Sequence, residues 1–79
     1  MQTIEFHLDK DYVELCNLLK LVGLADSGGR GKTMVAEGLV KVDGKLESRK
    51  TAKIRIGQKV ECQGIRVLII APDSTAQEH

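Results

Sequence analysis

Hydrophobic residues recur along the chain with two different periods, and these periods predict elements of both helix and strand. Over residues 3–8, apolar and polar side chains alternate, which is typical of a half-buried strand. Over residues 11 to about 22, leucines recur every three or four positions, which predicts a helix with one buried face. We expect Asp9 or Asp11 to cap the start of this helix, and Gly23 to end it.

A second helix, rich in glycine, is predicted over residues 28–37. Ser27 is a good N-terminal cap, and Gly38 is a natural C-terminal stop. Glycine inside a helix costs roughly 1 kcal/mol relative to alanine. A sequence tolerates this cost where the backbone must come close to a partner helix or to a phosphate. We expect Gly31 to let the two helices approach closely.

The second half of the chain predicts short antiparallel strands. Asp43 and Gly44 separate two short segments, and Asp-Gly favours the type I′ turn of a hairpin. Further strands are predicted over residues 53–56, 59–62 and 65–70. The prediction is therefore an α+β fold, with two packed helices on a small, mostly antiparallel sheet. Residues 1–71 would form a single domain, and residues 72–79 a flexible C-terminal tail.

Composition excludes several classes of protein. No apolar run approaches the roughly 18 residues of a membrane helix, and the N-terminus lacks the layout of a secretory signal. A cytoplasmic location without a membrane partner is expected. Cys16 and Cys62 are expected to be buried hydrophobic residues. His7 and His79 are isolated from other ligands, so we predict no metal site, no cofactor and no catalytic residue.

The net charge of +1 conceals an uneven distribution. Residues 20–59 hold ten basic and four acidic side chains, a net charge of +6, whereas the rest of the chain has a net charge of −5. Such asymmetry is common in proteins that bind nucleic acid. The predicted RNA-binding residues are Lys20, Ser27, Gly28, Gly29, Arg30, Lys32, Lys41, Lys45, Arg49, Lys50 and Lys53.

The segment 26–33 resembles a nucleotide-binding phosphate loop, but its chemistry differs. Asp26 takes the place of the first glycine in the pattern G-x-x-x-x-G-K-[ST], where its carboxylate would repel a triphosphate. The segment also follows a helix instead of a strand, so nucleotide hydrolysis is not expected. The amides of Gly28, Gly29 and Arg30 are instead expected to bind phosphates of RNA at the helix N-terminus.

Aromatic residues are scarce, and this narrows the kind of RNA recognition. Phe6 and Tyr12 are the only two, and Phe6 is expected to be internal. Modules that stack unpaired bases on aromatic platforms need more aromatic residues than this. The composition therefore favours recognition of folded RNA by shape and backbone, with ribosomal and transfer RNA as candidates.

Several segments resemble one known family. They are residues 19–25 (LKLVGLA), 27–32 (SGGRGK), 37–44 (EGLVKVDG), 47–49 (ESR), and Lys53 with 57–60 (GQKV). Together they look like the RNA-binding domain named after small-subunit ribosomal protein S-four, over about residues 11–62. The resemblance implies the αL motif, whose helix pair and hairpin contact structured RNA. Glu14 and Gly28 stand where many members have arginine, whereas the residues that match are Lys32, Lys41, Arg49 and Lys53.

These observations predict a non-catalytic, monomeric protein that binds structured RNA and has no small-molecule substrate. A protein-interaction adaptor, whose basic face docks an acidic partner and which could be ribosome-associated, is the alternative. An enzyme subunit or a DNA-binding fragment is a third hypothesis. Binding to naked RNA with a slope in log salt separates the first hypothesis from the second.

Overall fold

The structure, a computed structural model, describes residues 2–72. Its elements in chain order are β1 Gln2–His7, β2 Val13–Glu14, α1 Leu15–Leu21, α2 Gly28–Ala36, β3 Val40–Val42, β4 Lys45–Leu46, β5 Lys53–Ile54, β6 Lys59–Cys62 and β7 Ile65–Ile70. Of the tail predicted over residues 72–79, all but Pro72 lies outside the described residues.

Two sheets accompany the two helices. The larger has five strands in the order β1-β7-β6-β3-β4, in which only β1 and β7 are parallel, and the other neighbours are antiparallel. The smaller is an antiparallel ribbon of β2 and β5, which pairs Val13 with Ile54 and Glu14 with Lys53. The predicted α+β fold with a mostly antiparallel sheet is confirmed.

The helices and the sheet share a hydrophobic core. Its strand residues include Val40, Val42, Val60, Cys62, Val67 and Ile69, and its helix residues include Leu15, Leu18, Leu19, Met34 and Val35. Because successive side chains of a strand point to opposite faces, the residues between those core positions face away from the helices. The five-stranded sheet therefore has a helix side and an outer side.

The first helix begins later than predicted. Residues 11–14 are not helical, and the last two of them form β2. Val13 is buried against the core and pairs with Ile54, an arrangement that suits a β-branched side chain. The helix prediction is therefore correct only from Leu15 onward, because the two residues before it pair with β5.

Backbone carbonyls, and not an aspartate side chain, accept the hydrogen bonds from the first two amides of α1. The Leu15 amide donates to the Ala52 carbonyl at 2.9 Å, and the Cys16 amide donates to the Lys50 carbonyl at 3.0 Å. Glu14 occupies the cap position without a side-chain hydrogen bond. The prediction that Asp9 or Asp11 caps this helix is wrong, because backbone carbonyls of the loop before β5 accept these hydrogen bonds.

The predicted start and end of the second helix are confirmed. The Ser27 hydroxyl accepts a hydrogen bond from the Arg30 amide at 3.0 Å, as an N-terminal cap does. Gly38 has a φ of 77° and follows the last turn. Its amide donates to the Val35 carbonyl at 3.1 Å, which turns the chain out of the helix and into β3.

The predicted hairpin turn is also present. Asp43 and Gly44 have φ values of 53° and 84°, the two positive values that a type I′ turn requires. The strand predicted over residues 53–56 ends early, at Ile54. The reason is local, because the Arg55 amide donates to the Gln58 side-chain oxygen at 2.7 Å instead of to a neighbouring strand.

Candidate nucleic-acid interface

The N-terminus of α2 carries backbone amides without a partner inside the molecule. The Arg30 amide, which was expected to bind phosphate, donates instead to the Ser27 hydroxyl that caps the helix, so that part of the prediction is wrong. The Ser27 carbonyl accepts a hydrogen bond from the Gly31 amide at 3.0 Å. The amides of Gly28 and Gly29 form no hydrogen bond with any acceptor in residues 2–72. Both lie at the positive end of the helix dipole, so they are available to an anion.

The three glycines of α2 have different structural explanations. A β-carbon on Gly31 would lie 2.5 Å from the Cys16 carbonyl oxygen, so only glycine permits this approach of α2 to α1. A β-carbon on Gly28 would meet nothing within 4 Å, and one on Gly29 would meet only the Ser27 hydroxyl at 3.8 Å. Packing therefore requires Gly31, whereas the other two leave open backbone that an external group can approach.

The backbone of Cys16 joins two basic segments of the chain. It contacts Gly31 of α2 through its carbonyl, and its amide bonds the Lys50 carbonyl. Arg30 and Lys32 flank Gly31 in sequence, and both are exposed. The contact thus brings the first turns of α2 and the loop of residues 47–52 to the same end of α1.

Arg30 and Lys32 extend this basic region in different directions. Residues two apart in a helix are separated by about 200° around its axis, so they do not face each other. Gly31, which faces α1, lies between them. One cation therefore lies on each flank of α2.

The hairpin residues divide between the two sides of the sheet. Lys45 is paired with the inward-facing Val42, and directly paired residues share a face, so Lys45 lies on the helix side. Lys41 alternates with core valines and lies on the outer side, where the β6 residue opposite it is Glu61. The structure thus separates Lys41 from the predicted RNA-binding residues on the helix side of the sheet.

Arg49 is held by a nearby carboxylate. Its Nε lies 3.1 Å from Glu47 Oε2, and its Nη2 lies 3.4 Å from Glu47 Oε1. These hydrogen bonds lower the pKa of Glu47 below its ordinary value and raise the pKa of Arg49. The Arg49 side chain is still 78% exposed, so a phosphate can reach it in competition with the carboxylate.

Lys53 takes part in a cluster that the sequence did not indicate. Its Nζ lies 5.0 Å from the centroid of the Tyr12 ring, and Cζ of Arg55 lies 5.7 Å from the same centroid. Tyr12 was expected at the start of a helix, so its position opposite β5 was missed. The alternation of Lys53, Ile54 and Arg55 was the available signal, because it places both cations on one face of a strand.

Lys20 lies in the last turn of α1, where a positive charge is favourable beside the helix C-terminus. This is the opposite end of α1 from the residues that contact the loop of residues 47–52. Lys20 is exposed. Within the part of the chain that the structure describes, the ion pairs are Glu47–Arg49 and Glu61–Arg66, so Lys20 takes part in neither.

Other features of the described residues concern metal ligands, cysteines, membrane spans and Phe6. Between residues 2 and 72, no three His, Cys, Asp or Glu side chains are placed to hold a metal ion. Cys16 and Cys62 are buried and not bonded to each other, and burial raises the pKa of the Cys62 thiol. No helix in this same span is long and apolar enough to cross a membrane. Phe6, expected to be internal, is half-buried and packs against the core.

Comparison with known proteins places this arrangement in a family. A family model described as the S4 domain matches residues 6–70. The chain belongs to the S4 domain family. The resemblance to the ribosomal protein S-four type of RNA-binding domain is therefore confirmed.

Individual relatives of this S4 domain agree with the family match. YbcJ of Escherichia coli (strain K12) is 52% identical over 60 residues, which cover 76% of this chain and 86% of that protein. YbcJ of Shigella flexneri gives the same values. The solution structure of E. coli YbcJ, whose αL motif is described as involved in RNA binding, matches with a TM-score of 0.64 and 46% identity. That match covers 90% of this chain and 89% of the other.

Proposed function

We propose that this S4 domain is a non-catalytic protein that binds structured RNA with the helix side of the molecule. The observation that carries the proposal is the contact of Cys16 with both Gly31 and Lys50, because it assembles the basic residues of α2 and of the loop of residues 47–52. The αL motif of the similar E. coli protein, described as involved in RNA binding, supports the same function.

The mechanism is electrostatic contact with the RNA backbone. The open amides of Gly28 and Gly29 bind one phosphate, and exposed cations around them neutralise others. The proposed RNA-binding residues are Ser27, Gly28, Gly29, Arg30, Lys32, Lys45, Arg49, Lys50 and Lys53, with Lys20 at the margin. Lys41, on the outer side of the sheet, takes no part in this contact.

The surroundings of these residues suit binding at an open surface, because among residues 2–72 no polar or charged side chain is buried. We further propose that the protein is a cytoplasmic monomer, as the sequence predicts. The proposed class of ligand is ribosomal or transfer RNA.

Charge reversal on α2 tests the proposal. The variant Arg30→Glu with Lys32→Glu is compared with Lys41→Glu plus Lys59→Glu, which makes the same change of net charge on the outer side of the sheet. In a filter-binding assay with a stem-loop RNA, the α2 variant is expected to lose more than about tenfold in affinity, and the outer-side variant to retain most of it. Thermal unfolding of both variants confirms that they fold.

Three results would contradict the proposal. If the two variants bind equally well or lose affinity equally, the helix side is not the RNA-binding surface. If the wild-type protein binds no stem-loop RNA even at low salt, RNA is not the ligand, and an adaptor with an acidic protein partner becomes the better hypothesis. If the affinity is independent of salt, the contact is not made to phosphates.

A further inference from the structure

We infer that Tyr12 stacks against an unpaired nucleobase, and that the RNA bound by this domain therefore carries an unpaired nucleotide beside its duplex. The inference rests on the proposed RNA binding and adds a preference for one class of RNA. It is carried by the ribbon of β2 and β5, which lies next to the loop of residues 47–52.

The ribbon exposes one aromatic ring and two cations on the same face. Val13 and Ile54 are both buried against the core, so their neighbours in the sequence face outward. Beside Val13 these are Tyr12, just before β2, and Glu14; beside Ile54 they are Lys53 and Arg55, just after β5. Tyr12 is 37% exposed, so about a third of its surface is accessible to solvent.

The two cations lie beside the Tyr12 ring. Lys53 Nζ lies 5.0 Å from the Tyr12 centroid, and Arg55 Cζ lies 5.7 Å from it. Arg55 is fixed further by a hydrogen bond of 3.4 Å from Nη1 to the backbone carbonyl of Asp11. Within residues 2–72 neither cation forms an ion pair, although Glu14 is directly opposite Lys53 in the ribbon. Two like charges kept together in this way favour an anionic ligand.

A nucleotide supplies a group for each part of this cluster. The tyrosine ring and the planar guanidinium of Arg55 are flat surfaces of the kind on which bases stack. The flexible stem of Lys53 allows its ammonium to leave the ring for the phosphate of the same nucleotide. Paired bases inside a duplex are covered by their neighbours, so the base that reaches Tyr12 must be unpaired.

The ribbon is continuous with the proposed RNA-binding surface. The carbonyl of Ala52, the residue before Lys53, accepts a hydrogen bond from the first amide of α1. The Lys50 carbonyl accepts one from the second amide. The same end of α1 contacts Gly31 of α2. An RNA duplex held by α2 and the loop of residues 47–52 can therefore present an adjacent unpaired nucleotide to Tyr12.

Intrinsic fluorescence reports directly on this residue, because the chain contains one tyrosine and no tryptophan. The wild-type protein is titrated with a stem-loop RNA that carries a single-nucleotide bulge, with the same duplex without the bulge, and with heparin, a polyanion without bases. We expect the bulged RNA to quench the fluorescence strongly, and heparin to bind with little quenching. Tyr12→Leu is expected to bind the bulged RNA about 5- to 100-fold more weakly, and Tyr12→Phe nearly as well as the wild type.

The outcomes distinguish this inference from the proposed function. If Tyr12→Leu binds the bulged RNA like the wild type, while the Arg30→Glu and Lys32→Glu variant loses binding, the stacking inference is wrong and RNA binding stands. Equal quenching by heparin and by the bulged RNA would also overturn the inference, because displacement of the cations would then explain the signal. If the wild-type protein binds none of the RNAs, the proposed function itself fails.

Discussion

Gly31 of α2 lies directly against the backbone of Cys16 in α1, so that a β-carbon at position 31 would be 2.5 Å from the Cys16 carbonyl oxygen. Contacts of this length do not occur between real β-carbons and backbone oxygens, so a side chain must push the helices apart. Cys16 cannot move freely, because its amide is bonded to the Lys50 carbonyl. The relationship therefore links the packing of the helices to the position of the basic loop.

Replacing Gly31 is expected to destabilise the protein. Gly31→Ala should cost about 1–3 kcal/mol through overpacking, in spite of the better helix propensity of alanine. For a domain of this size, the midpoint of thermal unfolding should fall by roughly 5–20 °C. Gly28→Ala is the matched control, since a β-carbon there meets nothing within 4 Å. An unchanged midpoint for Gly31→Ala would show that the helices are not packed as described.

Replacing Gly28 and Gly29 is expected to raise the stability of the fold and to lower the RNA affinity. Gly28→Ala with Gly29→Ala should stabilise the fold by roughly 0.5 kcal/mol for each substitution, because alanine loses less conformational entropy in a helix. The new methyl groups would obstruct a phosphate at the open amides, so RNA affinity should fall. Urea unfolding and RNA binding are measured on the same samples. A variant that is more stable and binds RNA as before would exclude the amides from the interface.

Removing the carboxylate of Glu47 is expected to strengthen RNA binding. Glu47 competes with phosphate for the guanidinium of Arg49, through contacts of 3.1 and 3.4 Å. Glu47→Gln frees Arg49 and removes a negative charge, and we expect an affinity gain of about two- to fivefold. Glu61→Gln, on the outer side of the sheet, removes the same charge and should change the affinity less. The account of Arg49 is wrong if the two variants gain equally.

The ion pair of Glu47 with Arg49 predicts how the stability of the fold depends on pH. Arg49 lowers the pKa of Glu47 in the folded protein, so the pair stabilises the fold fully above the unfolded-state pKa of the carboxyl. That contribution is lost as the pH falls through the lowered, folded-state pKa. The free energies of unfolding of the wild type and Glu47→Gln should therefore differ most above the ordinary pKa of a glutamate, and converge as the pH falls below the lowered pKa of Glu47. A difference that grows on acidification would contradict the assignment.

Local sequence signals were sufficient for the elements whose ends are set by local hydrogen bonds. Ser27 caps α2 through an amide three residues away, and Asp43 with Gly44 forms the predicted turn. The start of α1 depends instead on a hydrogen bond from the Leu15 amide to the Ala52 carbonyl, 37 positions further along the chain. No periodicity near residue 15 contains that information, so the helix was predicted too long.

The candidate site was predictable in composition but not in arrangement. The basic residues of the middle segment are visible in the sequence, and most of the predicted ones lie on the helix side or at the ends of the helices. Lys41 lies on the outer side because the helices cover the face of β3 that carries Val40 and Val42. The cluster of Tyr12, Lys53 and Arg55 requires the pairing of β2 with β5, which brings distant segments together.

A backbone-amide NMR titration with a stem-loop RNA tests the central claim most directly. The account predicts that the largest chemical-shift changes fall on Gly28, Gly29 and Arg30 and on residues 49–53, and that they diminish as salt is added. Amides of the outer-facing residues of β3 and β6 should change little. Changes centred on those outer residues, or no changes at low salt, would contradict the claim that the helix side of this domain binds RNA.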